Sequence, residues 1–181
     1  MKIACILADG FEDSEFRVPV DRLKAAGFEV VVIAEKEGQE LVGKSGKERV
    51  RADRSIDSAI VEDYDALFIP GGYSPDKLRE DPRFVGFVAG FDDAGKPIAA
   101  ICHGPQLLLT ADRVRNRTMT AWSTVQVDLR RAGARVVDRE VVVEDNLITS
   151  RKPADLDAFC SAFIEELEAR ATEARPTHPA T

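Results

Sequence analysis

A thiol and an imidazole stand side by side at Cys102-His103, followed by Gly104, Pro105 and Gln106. These are the parts of a nucleophile with a base beside it, since a thiolate attacks carbonyl carbon and an imidazole moves the proton. Ahead of them, Pro97 to Ile101 form an unbroken apolar run suited to a strand buried on both faces. Behind them, Leu107 to Leu109 resume the apolar pattern as a helix would. The turn between must be sharp, with Gly104 relieving the backbone and Pro105 suited to the first helical position. Cys102 is thereby expected at the tip of a strand-to-helix elbow, above the carboxyl edge of an α/β sheet. A free thiol titrates near about 8.5, and the helix N-terminus is expected to lower that by about two to three units, favouring thiolate. The plainer alternative makes Cys102 one more buried apolar residue and leaves the His-Gly-Pro behind it without a purpose.

The composition narrows the classes that this chemistry can serve. At 181 residues, 44% hydrophobic and 31% charged, the chain is long enough for one globular domain with a substantial core. A net charge of −7 repels phosphate backbones and anionic lipid, so neither nucleic acid nor a membrane is expected as a partner. The opening Met-Lys-Ile-Ala-Cys-Ile-Leu is too short for a signal peptide, and a cytoplasmic location is expected. Three widely spaced cysteines give neither a disulfide framework nor zinc spacing. With only His103 and His178, a histidine-rich metal site is not expected, nor is any cofactor.

The elements that must position the thiol follow from periodicity. Lys2 to Ala8 reads as a central first strand, making Cys5 a core residue. Phe11 to Glu15 opens a helix carrying Phe16, Val20 and Leu23 on one face, with a disturbance at Pro19 and a stop at Gly27. Phe28 to Ala34 is the second strand, so the chain opens as β-α-β and the sheet is parallel. Gln39 to Val50 reads as a solvated hairpin whose Lys44, Lys47, Arg49 and Arg51 form a wet face. Ala66 to Ile69 is a third core strand ending in Pro70-Gly71-Gly72, and Asp9, Pro70 and Cys102 all leave at the same carboxyl edge. Phe84, Val88 and Phe91 mark a helix ending near Gly95. Thr118 to Ala121 reads as a strand, Thr124 to Ala132 as a helix, and Val136 to Glu144 with Asn146 to Ser150 as a strand pair turning at Asp145-Asn146. The last helix starts at Pro153 and carries Leu156, Phe159, Cys160, Phe163, Ile164 and Leu167 on one stripe, so Cys160 is read as structural. Residues 1–170 make a single domain, with 171–181 a loose tail.

Four segments together resemble the PfpI family of intracellular cysteine peptidases and amidases. They are Leu7 to Glu15, Ile69 to Gly72, Ala100 to Gln106, and Thr149-Ser150-Arg151-Lys152-Pro153. The resemblance runs from residue 1 to about 168 and is closest to the bacterial general-stress-protein branch. It implies a flavodoxin-like three-layer sandwich with a mostly parallel central sheet. The wider superfamily is related to class I glutamine amidotransferases and includes glyoxalases and protein deglycases. The resemblance further implies Cys102 as nucleophile, His103 as its base, and the backbone N–H groups of Gly72 and His103 as an oxyanion hole. Glu15 matches a buried carboxylic acid that donates to the thiolate, which requires it to be protonated; the plain alternative is a first-turn helix anion. Glu12 is the weaker acid, lining the entrance with Gly71 and Trp122. Where the peptidase has an orienting glutamate from a neighbouring subunit, this chain has the shorter Asp76. Family members are dimers or hexamers, so a homodimer or hexamer is expected.

Cys102 and His103, being adjacent, are expected to point apart and to make a poor dyad, which counts against peptidase chemistry. The leading reading is therefore a stress-response thiol enzyme on small carbonyl compounds or glycated amines, of glyoxalase or deglycase type. The alternatives are a peptidase or amidase on peptide substrates, and a protective sensor in which Cys102 is oxidised to the sulfinic state. A flavodoxin-type nucleotide site is disfavoured because Asp9 to Ser14 lacks the glycine and hydroxyl density that cradles phosphate.

Overall fold

Alternation along the apolar runs builds the molecule's layers. The computed structural model describes residues 1–173. The chain runs β1 (Lys2–Ile6), α1 (Asp13–Ala25), β2 (Glu29–Ala34), β3 (Glu40–Val42), β4 (Arg49–Arg51), β5 (Arg54–Ser55) and β6 (Ala66–Ile69). It continues α2 (Ser74–Leu78), α3 (Pro82–Asp93), β7 (Ile98–Ile101), α4 (Gln106–Thr110), β8 (Thr118–Met119) and α5 (Ser123–Arg131). Last come β9 (Arg135–Val136), β10 (Val141–Glu144), β11 (Leu147–Ser150) and α6 (Leu156–Glu173). The main sheet has the order β10-β11-β7-β6-β1-β2-β5 and is parallel except for β10, which runs antiparallel to β11.

Ile3, Cys5, Phe68, Ala99 and Ile101 face one layer, where α1 and α6 bring Phe16, Val20, Leu23, Phe159, Phe163 and Leu167. Ala4, Ile6, Leu67, Ile69, Ile98 and Ala100 face the other, against Phe84, Phe87, Phe91, Leu107 and Leu129. A central strand that is apolar at every position is thus apolar toward both layers, as burial on two faces demands. Burying each large side chain stabilises by about 1.5–3 kcal/mol, and these two clusters hold the sheet rigid beneath its carboxyl edge. The result is the flavodoxin-like α/β sandwich with a mostly parallel central sheet.

Several boundaries differ from those expected. The first strand ends at Ile6, after which Ala8 N donates to Ser74 Oγ at 2.9 Å and the chain leaves the sheet. The expected strand from Val136 to Glu144 is two: β9 pairs with β8 in a separate small sheet, and β10 begins only at Val141. Between them Asp138 turns its carboxylate to Arg151 at 3.0 Å. Helix α1 continues through Pro19, which leaves the Glu15 carbonyl without its helical N–H donor. Pro105 caps α4 rather than starting it, and α4 is only five residues long. Helix α6 extends to Glu173, past the expected end at Arg170; the remainder of the proposed tail, with His178, lies outside the described residues.

The β3–β4 hairpin is tied down by the start of α1. Asp13, only 7% exposed, accepts from the backbone N–H groups of Ser45, Lys47 and Glu48 at 2.9, 3.0 and 2.9 Å. A side chain at Gly43 would collide with this carboxylate, so the turn can approach only as glycine. Burial raises the Asp13 carboxyl, but the Ser45 and Glu48 N–H groups outweigh it and hold it below the usual range. A carboxyl so lowered stabilises the fold above its unfolded-state value, and the gain fades as acid protonates it. Asp13→Asn is expected to cost about 2 kcal/mol in urea denaturation at pH 7, with the difference from wild type shrinking as the pH falls below the carboxylate range.

Candidate active site

Strand β7 sits near the middle of the sheet and delivers Cys102 at its carboxyl end, where φ is +62°. A left-handed backbone at a residue with a Cβ costs about 1–2 kcal/mol, so the surroundings must impose it. Cys102 N donates to Ser150 O at 3.0 Å, Trp122 N donates to Cys102 O at 2.9 Å, and Gly104 N closes the turn onto Ile101 O at 2.8 Å. A Cβ at Gly104 would lie 2.6 Å from Ile69 O, so this elbow admits only glycine there. The sulfur is 6% exposed and stands 3.3 Å from His103 Nδ1. The expectation of a splayed dyad is therefore corrected: left-handed backbone at Cys102 turns the two neighbouring side chains toward each other.

Glu15 comes up from α1 beneath the sulfur and is wholly buried. Its Oε2 accepts from Gly71 N at 3.0 Å, whereas Oε1 has no hydrogen-bond partner among the described residues. The carboxyl and the Cys102 thiol lie either side of the space at Gly71, near enough for each to shift the other's ionisation. Gly71 makes the approach possible, because a Cβ there would strike Glu15 Oε2 and come within 2.7 Å of Cys102 Cβ. Burial, and then the Glu12 charge, push the Glu15 carboxyl up to about 8, against the opposing pull of Cys102, Gly71 N–H and Lys44. It is therefore mainly protonated at neutral pH.

The same burial also pushes the Cys102 thiol up, as does the charge on Glu15 when that group is ionised; the N–H groups of Gly72 and His103 pull the other way. This corrects the expected lowering by a helix N-terminus. Helix α4 starts only at Gln106 and has five residues, and desolvation outweighs what so short a dipole offers. Burial, and then the Lys44 charge, push His103 below its ordinary value, with Asp76 opposing them. His103 is thus a neutral imidazole in contact with a thiol, able to take its proton.

Around this pair lies a cavity of about 350 Å³ lined by Glu12, Glu15, Lys44, Gly72, Tyr73, Cys102, His103, Trp122 and Pro153. Hollows of about 500 and 540 Å³ elsewhere contain neither cysteine nor histidine. Trp122 is a wall of the site, with its ring 6.0 Å from that of His103 and inclined by 25°. Glu12 caps α1 through Ser14 N at 3.3 Å, pairs with Lys44 Nζ at 2.9 Å and lines the cavity. Asp76 is exposed on α2 and makes no hydrogen bond to His103 within this chain; it acts on the imidazole only through space. Cys5 and Cys160 are buried core thiols, the latter pushed up to about 11 by burial.

Lys44, Tyr73 and Pro153 are the three cavity residues that sequence reasoning did not assign to the site. Lys44 stands in a run of charges indistinguishable from a solvated face, and bonds to Asp13, Phe11 and Asp9, distant in sequence, bring it back over α1. Tyr73 did leave a signal, as an aromatic directly behind a Gly-Gly turn at a strand's carboxyl end, and it is 67% exposed. Among the described residues no cluster of histidine, cysteine, aspartate and glutamate could hold a metal, and no helix is long and apolar enough to cross a membrane.

Known proteins share this arrangement of chain. Protein/nucleic acid deglycase 2 of Escherichia coli is 50% identical over 159 residues, covering 87% of this chain and 92% of that protein. General stress protein 18 of Bacillus subtilis is 50% identical over 168 residues, covering 92% and 98% respectively. A solved two-domain protein of Anabaena variabilis, with DJ-1/ThiJ/PfpI-like and ferritin-like domains, superposes with a TM-score of 0.90 at 41% identity. That likeness covers 92% of this chain and 48% of the two-domain chain, so this chain spans about half of its length. Residues 1–166 match the DJ-1/PfpI family, and with relatives half identical over nearly their whole length, the chain belongs to that family.

Proposed function

We propose that this chain is a cysteine-dependent enzyme that acts on small carbonyl compounds or on their adducts with amines, a deglycase or glyoxalase activity of a stress response. The observation that carries the reading is the wholly buried Glu15 carboxyl beside the Cys102 thiol, with the His103 imidazole 3.3 Å from the sulfur; burial pushes that carboxyl toward its neutral form. The names of the two curated relatives agree with it.

The steps follow from the proton positions. His103 Nδ1 takes the thiol proton as Sγ bonds to the carbonyl carbon, and the carbonyl's π pair moves onto oxygen. That oxygen meets the N–H groups of Gly72 and His103 and takes the proton back from the imidazolium, giving a hemithioacetal. The neutral Glu15 carboxyl donates a hydrogen bond to the sulfur while it is anionic, a role an ionised carboxylate could not fill. With a 2-oxoaldehyde, His103 moves the proton from the sulfur-bearing carbon to its neighbour through an enediol. The resulting thioester is hydrolysed by water to a hydroxy acid, which frees the thiol. With an amine adduct, the C–N bond breaks as the C–S bond forms, and the amine leaves with the proton from His103. The chain does this in the cytoplasm as a homodimer or hexamer, without a cofactor.

A second reading, peptide or amide cleavage, gains from the 3.3 Å contact between Cys102 and His103. Among the described residues no acid bonds to the imidazole, and a neighbouring copy's Asp76 would have to supply one. Cys102→Ser is expected to abolish methylglyoxal consumption and release of glycated amine from a modified peptide, with the fold intact by circular dichroism. Cleavage of a fluorogenic peptide that is lost in the same variant, with no effect on methylglyoxal, would establish the peptidase instead. Oxidation of Cys102 by mild peroxide, with neither activity, would leave the protective sensor.

The neutral carboxyl is open to a separate test. A group whose folded-state value is raised stabilises most below its unfolded-state value and loses that contribution as the pH rises through the folded one. Wild-type stability is therefore expected to fall between about pH 5 and pH 8 by up to about 1.4 kcal/mol per unit, and Glu15→Gln is expected to flatten that slope in urea titrations.

A further inference from the structure

The family resemblance assigns nothing to the charged hairpin, yet the fold spends many bonds on placing one of its residues. Lys44 N donates to Phe11 O at 2.8 Å, Gly10 N donates to Val42 O at 2.9 Å, and Val42 N donates to Asp9 Oδ1 at 2.8 Å. On the far side of Lys44, Asp13 clamps the N–H groups of Ser45, Lys47 and Glu48. The two consecutive acids at the start of α1 divide the work: Asp13 holds the backbone of the turn, and Glu12 receives the ammonium at 2.9 Å. Lys44 Nζ also stands 6.0 Å from the centre of the Tyr73 ring. Among the described residues it is the one lysine or arginine lining the cavity that holds Cys102, Glu15 and His103. A lysine serving only as a wet face would need none of this.

We propose that Lys44 is a positioning residue of the thiol site: its ammonium, shared with Glu12 at the rim, supplies the counter-charge that sets how readily Cys102 gives up its proton. The inference rests on Cys102 being the reactive group in the preceding reading. The charged and titratable groups facing the sulfur are Glu12 and Glu15 from α1, Lys44 from the hairpin, and His103 from the elbow. Tyr73 and Asp76 belong to the segment behind β6, while Trp122 and Pro153 contribute no charge to the cavity and Lys152 lines the neighbouring hollow. Among these, Lys44 and Glu12 act in opposite senses. The cation favours the charged forms of Glu15 and Cys102 and disfavours that of His103, whereas Glu12 disfavours ionisation of Glu15. With Lys44 43% exposed on its side chain, solvent screens the effect and limits its size.

The opposition gives a test that a merely structural role would fail. Iodoacetamide alkylation of Cys102 is followed by mass spectrometry from pH 5 to 10 in wild type, Lys44→Met, Lys44→Arg and Glu12→Gln, each checked for folding by thermal melt. Lys44→Met is expected to raise the midpoint of the rate profile by about half to one unit, a roughly three- to tenfold slower reaction at pH 7. Glu12→Gln, which keeps an oxygen for Ser14, is expected to lower the midpoint, and Lys44→Arg to restore it. Added salt should shrink the gap between wild type and Lys44→Met. An unmoved midpoint in Lys44→Met overturns the inference. So does a shift of Lys44→Met and Glu12→Gln in the same direction, the outcome for a hairpin that only needs its anchor. A Cys102 that resists alkylation at every pH overturns the preceding reading, and this one with it.

Discussion

A carboxyl and a thiol face each other in the interior, and only their keeping protons makes that contact tolerable. Two anions side by side out of water would cost far more than the fold could offset, so burial drives both groups toward their neutral forms. The sulfur then cannot be poised by solvent or by a helix dipole. It depends on the donors around it: the N–H groups of Gly72 and His103, the Glu15 carboxyl, and an imidazole that burial and Lys44 keep neutral. Gly71 is the condition for all of it, because any side chain there would occupy the space in which carboxyl and sulfur meet.

The sheet supplies the rigidity that this contact requires. Cys102 is held left-handed by bonds from β11 and from the segment entering α5, while Glu15 is fixed on a helix packed in the same layer as the α6 phenylalanines. Neither group can move away from the other without disturbing a layer. Pro19, one turn further along α1, leaves the Glu15 carbonyl outside the helical ladder at the very residue whose side chain enters the site.

Much of this was written in the residues. Unbroken apolar runs such as Ala66 to Ile69 can only be strands covered on both faces, and they fixed the sheet's core and its carboxyl edge. The elbow cysteine and the Gly-Gly turn lie in short segments whose residue types carry their purpose locally, whereas the role of Glu15 was legible only through the family resemblance. What escaped depends on geometry that residue types do not encode. The contact between Cys102 and His103 turns on the sign of one φ angle, and the length of α4 on where Ala111 ends it. The strands β8 and β9 are two residues each, too short for any period to register. Lys44 was hidden because a charge held by a distant clamp looks in sequence like a charge held by nothing. Of the assigned residues, Asp76 and Gly71 do not line the cavity; Gly71 lies buried against Glu15 and Cys102 instead.

The clamp has an evolutionary corollary. Because Asp13 grips the hairpin at its tip and Asp9, Gly10 and Phe11 hold its near strand, the ammonium's position is set from the start of α1. Exchanges among the exposed side chains of Glu35, Lys36, Glu37 and Glu40 leave those bonds in place, whereas Leu41 and Ala52 belong to the core. The outer surface of the entrance is therefore free to diverge among descendants of this fold, and new selectivity can be grafted there without reopening the chemistry beneath.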